Sequence, residues 1–142
     1  MKQFKYFALA MFMGTVAALT FSSCKKGSDD PAVSFISRKD RFANTWTLTK
    51  YEKNGTAQDL SGTTYIYNVY KSGTLTQTIE GTIFGFPTKT ISDGTWSFLN
   101  DSEDVEITID GVHTIYNIQR LASKELWLKK IDGDDTHTYY FE

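Results

Sequence analysis

From residue 44 to residue 142 the sequence repeats one pattern: short runs of β-branched and aromatic residues alternate with polar ones, and turn residues interrupt them every 8 to 14 positions. A period of two describes an extended strand with one buried face. The gaps are too short for the crossover helices that parallel neighbours need, so the strands must run antiparallel. The clear runs fall at 44–53, 63–70, 74–80, 94–99, 105–109, 113–121, 125–131 and 136–141. Asn54-Gly55 and Asp110-Gly111 are the residue pairs that two-residue hairpin turns select. Residues 82–92, with Gly85 and Pro87, read as a loop followed by a short strand. No long helix is expected after residue 23, and residues 38–43 suffice for a single turn.

Alternation sorts the runs into faces. One side of each strand collects Trp46 and Leu48; Tyr65, Tyr67 and Val69; Leu75 and Ile79; Trp96 and Phe98; Val105, Ile107 and Ile109; Tyr116 and Ile118; Leu126 and Leu128; Tyr139 and Phe141. The other sides are mostly Thr, Asn, Gln, Lys and Glu. Eight such strands predict an all-β, up-and-down antiparallel barrel over residues 38–142, because closure removes the sticky edges of an open sheet. A two-layer sandwich is the rival arrangement. The aromatic share of 15% is enough to build a core, unlike the composition of a disordered tail.

The segment before this domain has a different logic. Lys2 and Lys5 precede a nearly unbroken apolar run at 7–19, and Ser22-Ser23 lead into Cys24, the sole cysteine of the chain. Charge, a short apolar stretch and small residues, in that order, describe a secretory signal peptide over residues 1–23. The run is shorter than the ~20 residues a membrane-spanning helix needs. Phe21-Ser22-Ser23-Cys24 resembles a bacterial lipobox, with Phe21 standing where Leu is usual. The resemblance implies cleavage before Cys24 and acylation of its thiol, giving a membrane anchor. Ordinary cleavage that leaves a spare or reactive thiol is the competing reading. Residues 24–37, rich in Gly, Ser, Asp and Lys, read as a flexible tether. Within it Asp29-Asp30 resembles the acidic export signals of surface lipoproteins in Bacteroidetes-type bacteria, or else is solvated linker.

The domain itself also has a family likeness. Trp46 early in the first strand, the run Val69-Tyr70-Lys71-Ser72-Gly73-Thr74, Gly94-Thr95-Trp96-Ser97-Phe98, residues 116–121 and Glu125-Leu126-Trp127-Leu128 occur in a telling order. Together they resemble the lipocalin-like domains of small Bacteroidetes-type lipoproteins. The lipocalin glycine two residues before the first-strand Trp is Asn44 here. The resemblance implies an outer-membrane lipoprotein whose barrel holds a small hydrophobic ligand, with Trp46 plugging one end. The candidate contact residues are Trp46, Tyr65, Tyr67, Trp96, Phe98, Tyr116, Tyr139 and Phe141, which alternatively do no more than fill the core.

The chemistry elsewhere is sparse. His113 and His137 have no partner spacing for a metal and read as surface residues. Asp132, Asp134 and Asp135 form a good turn but not a calcium loop, and Asp101, Glu103 and Asp104 read likewise. No nucleophile elbow, phosphate loop or dinucleotide fingerprint occurs, so no enzyme and no cofactor is expected. Cleavage before Cys24 would leave 119 residues with 13 basic against 17 acidic, which gives no footprint for nucleic acid. The second function class is an envelope module that contacts a protein or glycan through its loops or outer face. Trp127, between Glu125 and Lys129, points away from Leu126 and Leu128 and is the aromatic best placed for that.

Overall fold

The computed structural model describes Asp30 and residues 35–142. The stretch expected to be a signal peptide (residues 1–23), Cys24 and most of the expected tether lie outside the described residues. The described chain forms one closed, eight-stranded, antiparallel up-and-down barrel with a short ninth strand appended. A five-residue helix, α1 (Arg38–Phe42), leads in. Then come β1 (Thr45–Lys53), β2 (Thr56–Gln58), β3 (Thr64–Val69), β4 (Thr74–Ile83) and β5 (Phe86–Leu99). The ring continues through β6 (Asp104–Ile109), β7 (Val112–Leu121), β8 (Leu126–Asp132) and β9 (Asp135–Phe141).

Closure is the property that excludes a sandwich. The N-terminal part of β1 pairs with β3, and the remainder pairs with β9 from Leu48↔Phe141 to Lys53↔His137. Thr47 and Glu142 exchange backbone hydrogen bonds of 2.8 and 3.0 Å beyond that register. At the other end of the seam the Asn54 side chain grips β9, accepting from the Thr136 N–H at 2.7 Å and donating to Asp135 at 2.8 Å. The small strand β2 folds back on β1 through Asn54-Gly55 and takes no part in the ring.

Two β-bulges change which residues face inward, because one extra residue reverses the alternation. In β1 the register shifts between Leu48 and Lys50, so Trp46 and Leu48 are followed on the inner face by Tyr51 and Lys53. In β7 the shift between Ile118 and Arg120 lets both Ile118 and Leu121 point inward.

The stretch read as a loop around Gly85 and Pro87 is instead the longest hairpin of the molecule. β4 and β5 stay paired from Thr74↔Thr95 out to Ile83↔Phe86, and Pro87 sits opposite Thr82. The turn, Phe84-Gly85, has φ of 50° and 83°, the left-handed pair of a two-residue hairpin turn. Asn or Asp suits its first position, and a bulky aromatic there is strained. Phe84 is also 96% exposed, so no packing compensates. Phe84→Asn is expected to raise stability by about 0.5–1 kcal/mol, or a few degrees in Tm. A lower denaturation midpoint for that variant would show that Phe84 has a stabilising contact after all.

Candidate functional site at the open end of the barrel

The barrel's two ends differ. At one end lie α1 and the turns at 70–73, 100–103 and 122–125; at the other lie the hairpins at 54–55, 84–85, 110–111 and 133–134. The first end is packed shut. Phe42, at the end of α1, lies 4.7 Å from Trp96 and 5.4 Å from Phe98 between ring centroids, and those two meet edge to face at 5.1 Å. Trp46 is fully buried and donates its indole N–H to the Phe42 carbonyl at 2.9 Å. Trp96 donates to the Tyr70 carbonyl at 2.9 Å. Val105, Ile118, Leu121 and Leu126 complete this apolar plug.

Asp30, read from sequence as part of a flexible tether, belongs to this end as well. It is only 6% exposed, accepts a 2.6 Å hydrogen bond from the Leu121 N–H, and pairs with the Arg38 guanidinium. A buried carboxylate needs such partners to offset lost hydration, so the backbone of the chain is pinned here.

The opposite half is lined by tyrosines. Tyr67 stacks on Phe141 at 5.4 Å, where the plug gives way to the open half. Beyond it Tyr139 stacks on Tyr51 at 5.0 Å and meets Tyr116 edge to face at 5.8 Å. Polar groups between them are paired: the Tyr51 hydroxyl with His137 Nδ1 at 2.7 Å, and Gln77 Nε2 donating to the Tyr67 hydroxyl at 3.1 Å. At the rim, Lys53 binds Asp135 at 2.6 Å and Lys130 binds Asp132 at 3.0 Å. A cavity of about 140 Å³ remains among Tyr67, Gln77, Ile107, Ile109, Val112, Thr114 and Tyr116.

The eight residues predicted for the interior thus divide. Trp46, Trp96, Phe98 and Phe141 fill the closed half, whereas Tyr67, Tyr116 and Tyr139 line the open half. Tyr65 has inward parity and is half-buried, yet it stays outside the packed cluster and does not line the cavity. Sequence reasoning missed Tyr51, Gln77 and His137. The β1 bulge hid Tyr51: strict alternation from Trp46 would turn Lys50 and Glu52 inward, and that mismatch was the available signal. His137, read as a surface residue, is instead half-buried and bonded to Tyr51; His113 is exposed.

Trp127 does face outward, but it is not a free aromatic patch. Arg120 lies 5.4 Å over its ring and Tyr140 meets it edge to face at 5.3 Å. Lys50 covers Tyr140 in turn, and the Tyr140 hydroxyl donates to Glu52 at 2.9 Å. Among the described residues no group of three His, Cys, Asp or Glu side chains is placed to hold a metal ion.

Burial raises the pKa of three phenols in the interior: Tyr67, Tyr116, and Tyr139, which is pushed up to about 12. An unfolded chain gives up its tyrosine protons near pH 10. Between that pH and 12 the native state therefore holds more protons than the unfolded one, and stability falls as pH rises. Urea midpoints are expected to change little up to about pH 9 and to drop steeply by pH 11, with a shallower drop in Tyr139→Phe. A midpoint that stays flat to pH 11 would contradict the burial of these hydroxyls.

No family model and no curated protein matches this sequence. Among solved structures the chain is similar to the crystal structure of the fluorescent protein UnaG, N57A mutant, at 12% identity. That alignment covers 72% of this chain and 95% of the other, with a TM-score of 0.40.

Proposed function

We propose that this protein is a lipid-anchored lipoprotein of the bacterial cell envelope that binds a small hydrophobic ligand in the open half of its barrel. The observation that carries this reading is the unequal filling of the interior. One half is an apolar plug of Phe42, Trp46, Trp96 and Phe98, and the other is a tyrosine-lined mouth with unfilled space. A barrel built only to be stable would fill both halves alike. Large aromatic faces with a few oriented polar groups are the lining that small apolar ligands require. The reading is of a binder rather than an enzyme, and the charged groups at the rim of the mouth are paired with one another: Lys53 with Asp135, Lys130 with Asp132.

The anchor on this reading is Cys24, acylated after cleavage of residues 1–23, and the location is the outer membrane. Asp30 is pinned at the plugged end, six residues after Cys24. Six extended residues span at most ~20 Å, so the plug would face the lipid and the mouth would open away from it. An envelope module without a ligand is the second reading, favoured by one observation: Ile83, Phe84 and Phe86 are all exposed at the tip of the long hairpin.

Two mass measurements test the proposal. The membrane-extracted protein should carry acyl mass at a new N-terminal Cys24, and Cys24→Ser should abolish both acylation and membrane retention. The ring and its core lie wholly within residues 42–142, so the protein from Lys25 onward is expected to fold without its lipid. Native mass spectrometry of that form should show a small-molecule adduct that disappears in Tyr67→Ala. A bare protein mass in every extract would overturn the binder reading and leave the hairpin tip as the place to seek a partner.

A further inference from the structure

The cavity at the barrel mouth constrains the chemistry of what fills it. Its volume is about 140 Å³. An engineered apolar cavity of about 150 Å³ accepts one benzene, and drug-sized ligands occupy roughly 300–1,000 Å³. One ring fits inside; a long acyl chain or a multi-ring pigment would leave most of its surface outside.

The walls are unlike one another. Ile107 and Ile109, on β6, supply an apolar side, whereas Tyr67, Gln77, Thr114 and Tyr116 supply hydrogen-bonding groups. The Tyr67 hydroxyl already accepts from Gln77, and its own proton has no acceptor among the described residues. Phenols are protonated at physiological pH, and burial raises both pKa values further, so they offer O–H donors and not phenolates. The Tyr67 hydroxyl, half-buried and with no acceptor among the described residues, is thus a donor that a ligand oxygen can engage.

Charge narrows the class further. The cations with inward parity at the rim, Lys53 and Lys130, are held by Asp135 and Asp132. A carboxylate entering the cavity would lose its hydration without a counter-ion, which is prohibitive beside a neutral acceptor of the same shape.

We propose that the mouth takes an uncharged, single-ring molecule bearing a carbonyl-type acceptor, with its ring against Ile107 and Ile109 and its oxygen on the hydroxyls of Tyr67 and Tyr116. This rests on the binder reading and goes beyond it by fixing size, neutrality and polarity. Ile83 and Phe86 share the inward parity of β4 and β5 beyond the rim, where they meet whatever part of such a molecule projects.

The test is an NMR titration of the protein from Lys25 onward, following the isoleucine methyls with four probes: acetophenone, ethylbenzene, benzoate and palmitate. Acetophenone should shift Ile107 and Ile109 saturably, and ethylbenzene, the same shape without the oxygen, should bind roughly fivefold to thirtyfold more weakly, as one to two net hydrogen bonds require. Benzoate should be weaker than acetophenone. In Tyr67→Phe/Tyr116→Phe the preference for acetophenone over ethylbenzene should vanish while ethylbenzene binding persists, which also shows that the variant folds. Tighter binding of palmitate or benzoate than of acetophenone at these methyls would overturn the proposed class and leave the binder reading standing. Silence from all four probes would overturn both.

Discussion

Trp46→Ala is expected to cost about 3–5 kcal/mol, the range for deleting a large buried aromatic. Trp46 is fully buried, and its indole N–H ties β1 to the last carbonyl of α1. Its removal would open a void at the plugged end and free α1, whose residue Phe42 seats against Trp96 and Phe98. Since small domains have only about 5–15 kcal/mol of stability, the variant should be largely unfolded at 37 °C or show a Tm lower by well over 10 °C. Trp46→Phe, which keeps most of the volume, should cost clearly less. Equal losses for the two variants would mean that the indole hydrogen bond, and not packing, holds this end.

The second large effect is at Gly94. It stands opposite Ile109 in the β5–β6 ladder, and a Cβ placed on it would come within 2.3 Å of the Thr108 backbone carbonyl and 3.0 Å of Ile109. A carbonyl oxygen fixed in a sheet cannot yield as a side chain tip can, so the strands would have to part. Gly94→Ala should therefore destabilise by about 2–4 kcal/mol, although an exposed strand glycine commonly gains from the same change. Chemical denaturation checks this directly, with Gly81→Ala as the control. There the nearest atoms, 3.5 Å or more away, belong to flexible threonine side chains, so a loss under about 1 kcal/mol is expected. Comparable losses at both sites would show that β5 and β6 approach no more closely than an ordinary pair.

Much of this architecture was readable from residue order. Period-two runs located seven of the eight ring strands to within a few residues and only the second half of β5, and Asn54-Gly55 and Asp110-Gly111 marked hairpins that the structure contains. The features that escaped have physical reasons. Phe84 occupies a turn position where Asn or Asp would have been the signal, so the longest hairpin looked like a loop. Phe42 lies in a helix too short to show a period, and its burial depends on strands far along the chain. Tyr51 was hidden by a bulge, which is a decision of backbone geometry rather than of pattern. The candidate site was half legible: alternation selected Tyr67, Tyr116 and Tyr139, but only pairing across the closed ring divides a sealed half from an open one. Closure itself depends on β1 meeting β9, and no local pattern records that.

That same seam sets an order of events in folding. Every other ladder joins strands that follow one another along the chain, apart from the small excursion of β2, so the sheet grows by adding neighbours at little entropic cost. The β1–β9 pairing is different: its two partners are separated by nearly the whole domain and can register only after the strands between them have curved into place. Until then two unpaired strand edges stand open, which is the surface on which β proteins aggregate. The slowest contact to form is thus also the one that hides the stickiest backbone, and variants that delay it should accumulate as aggregates before they lose equilibrium stability.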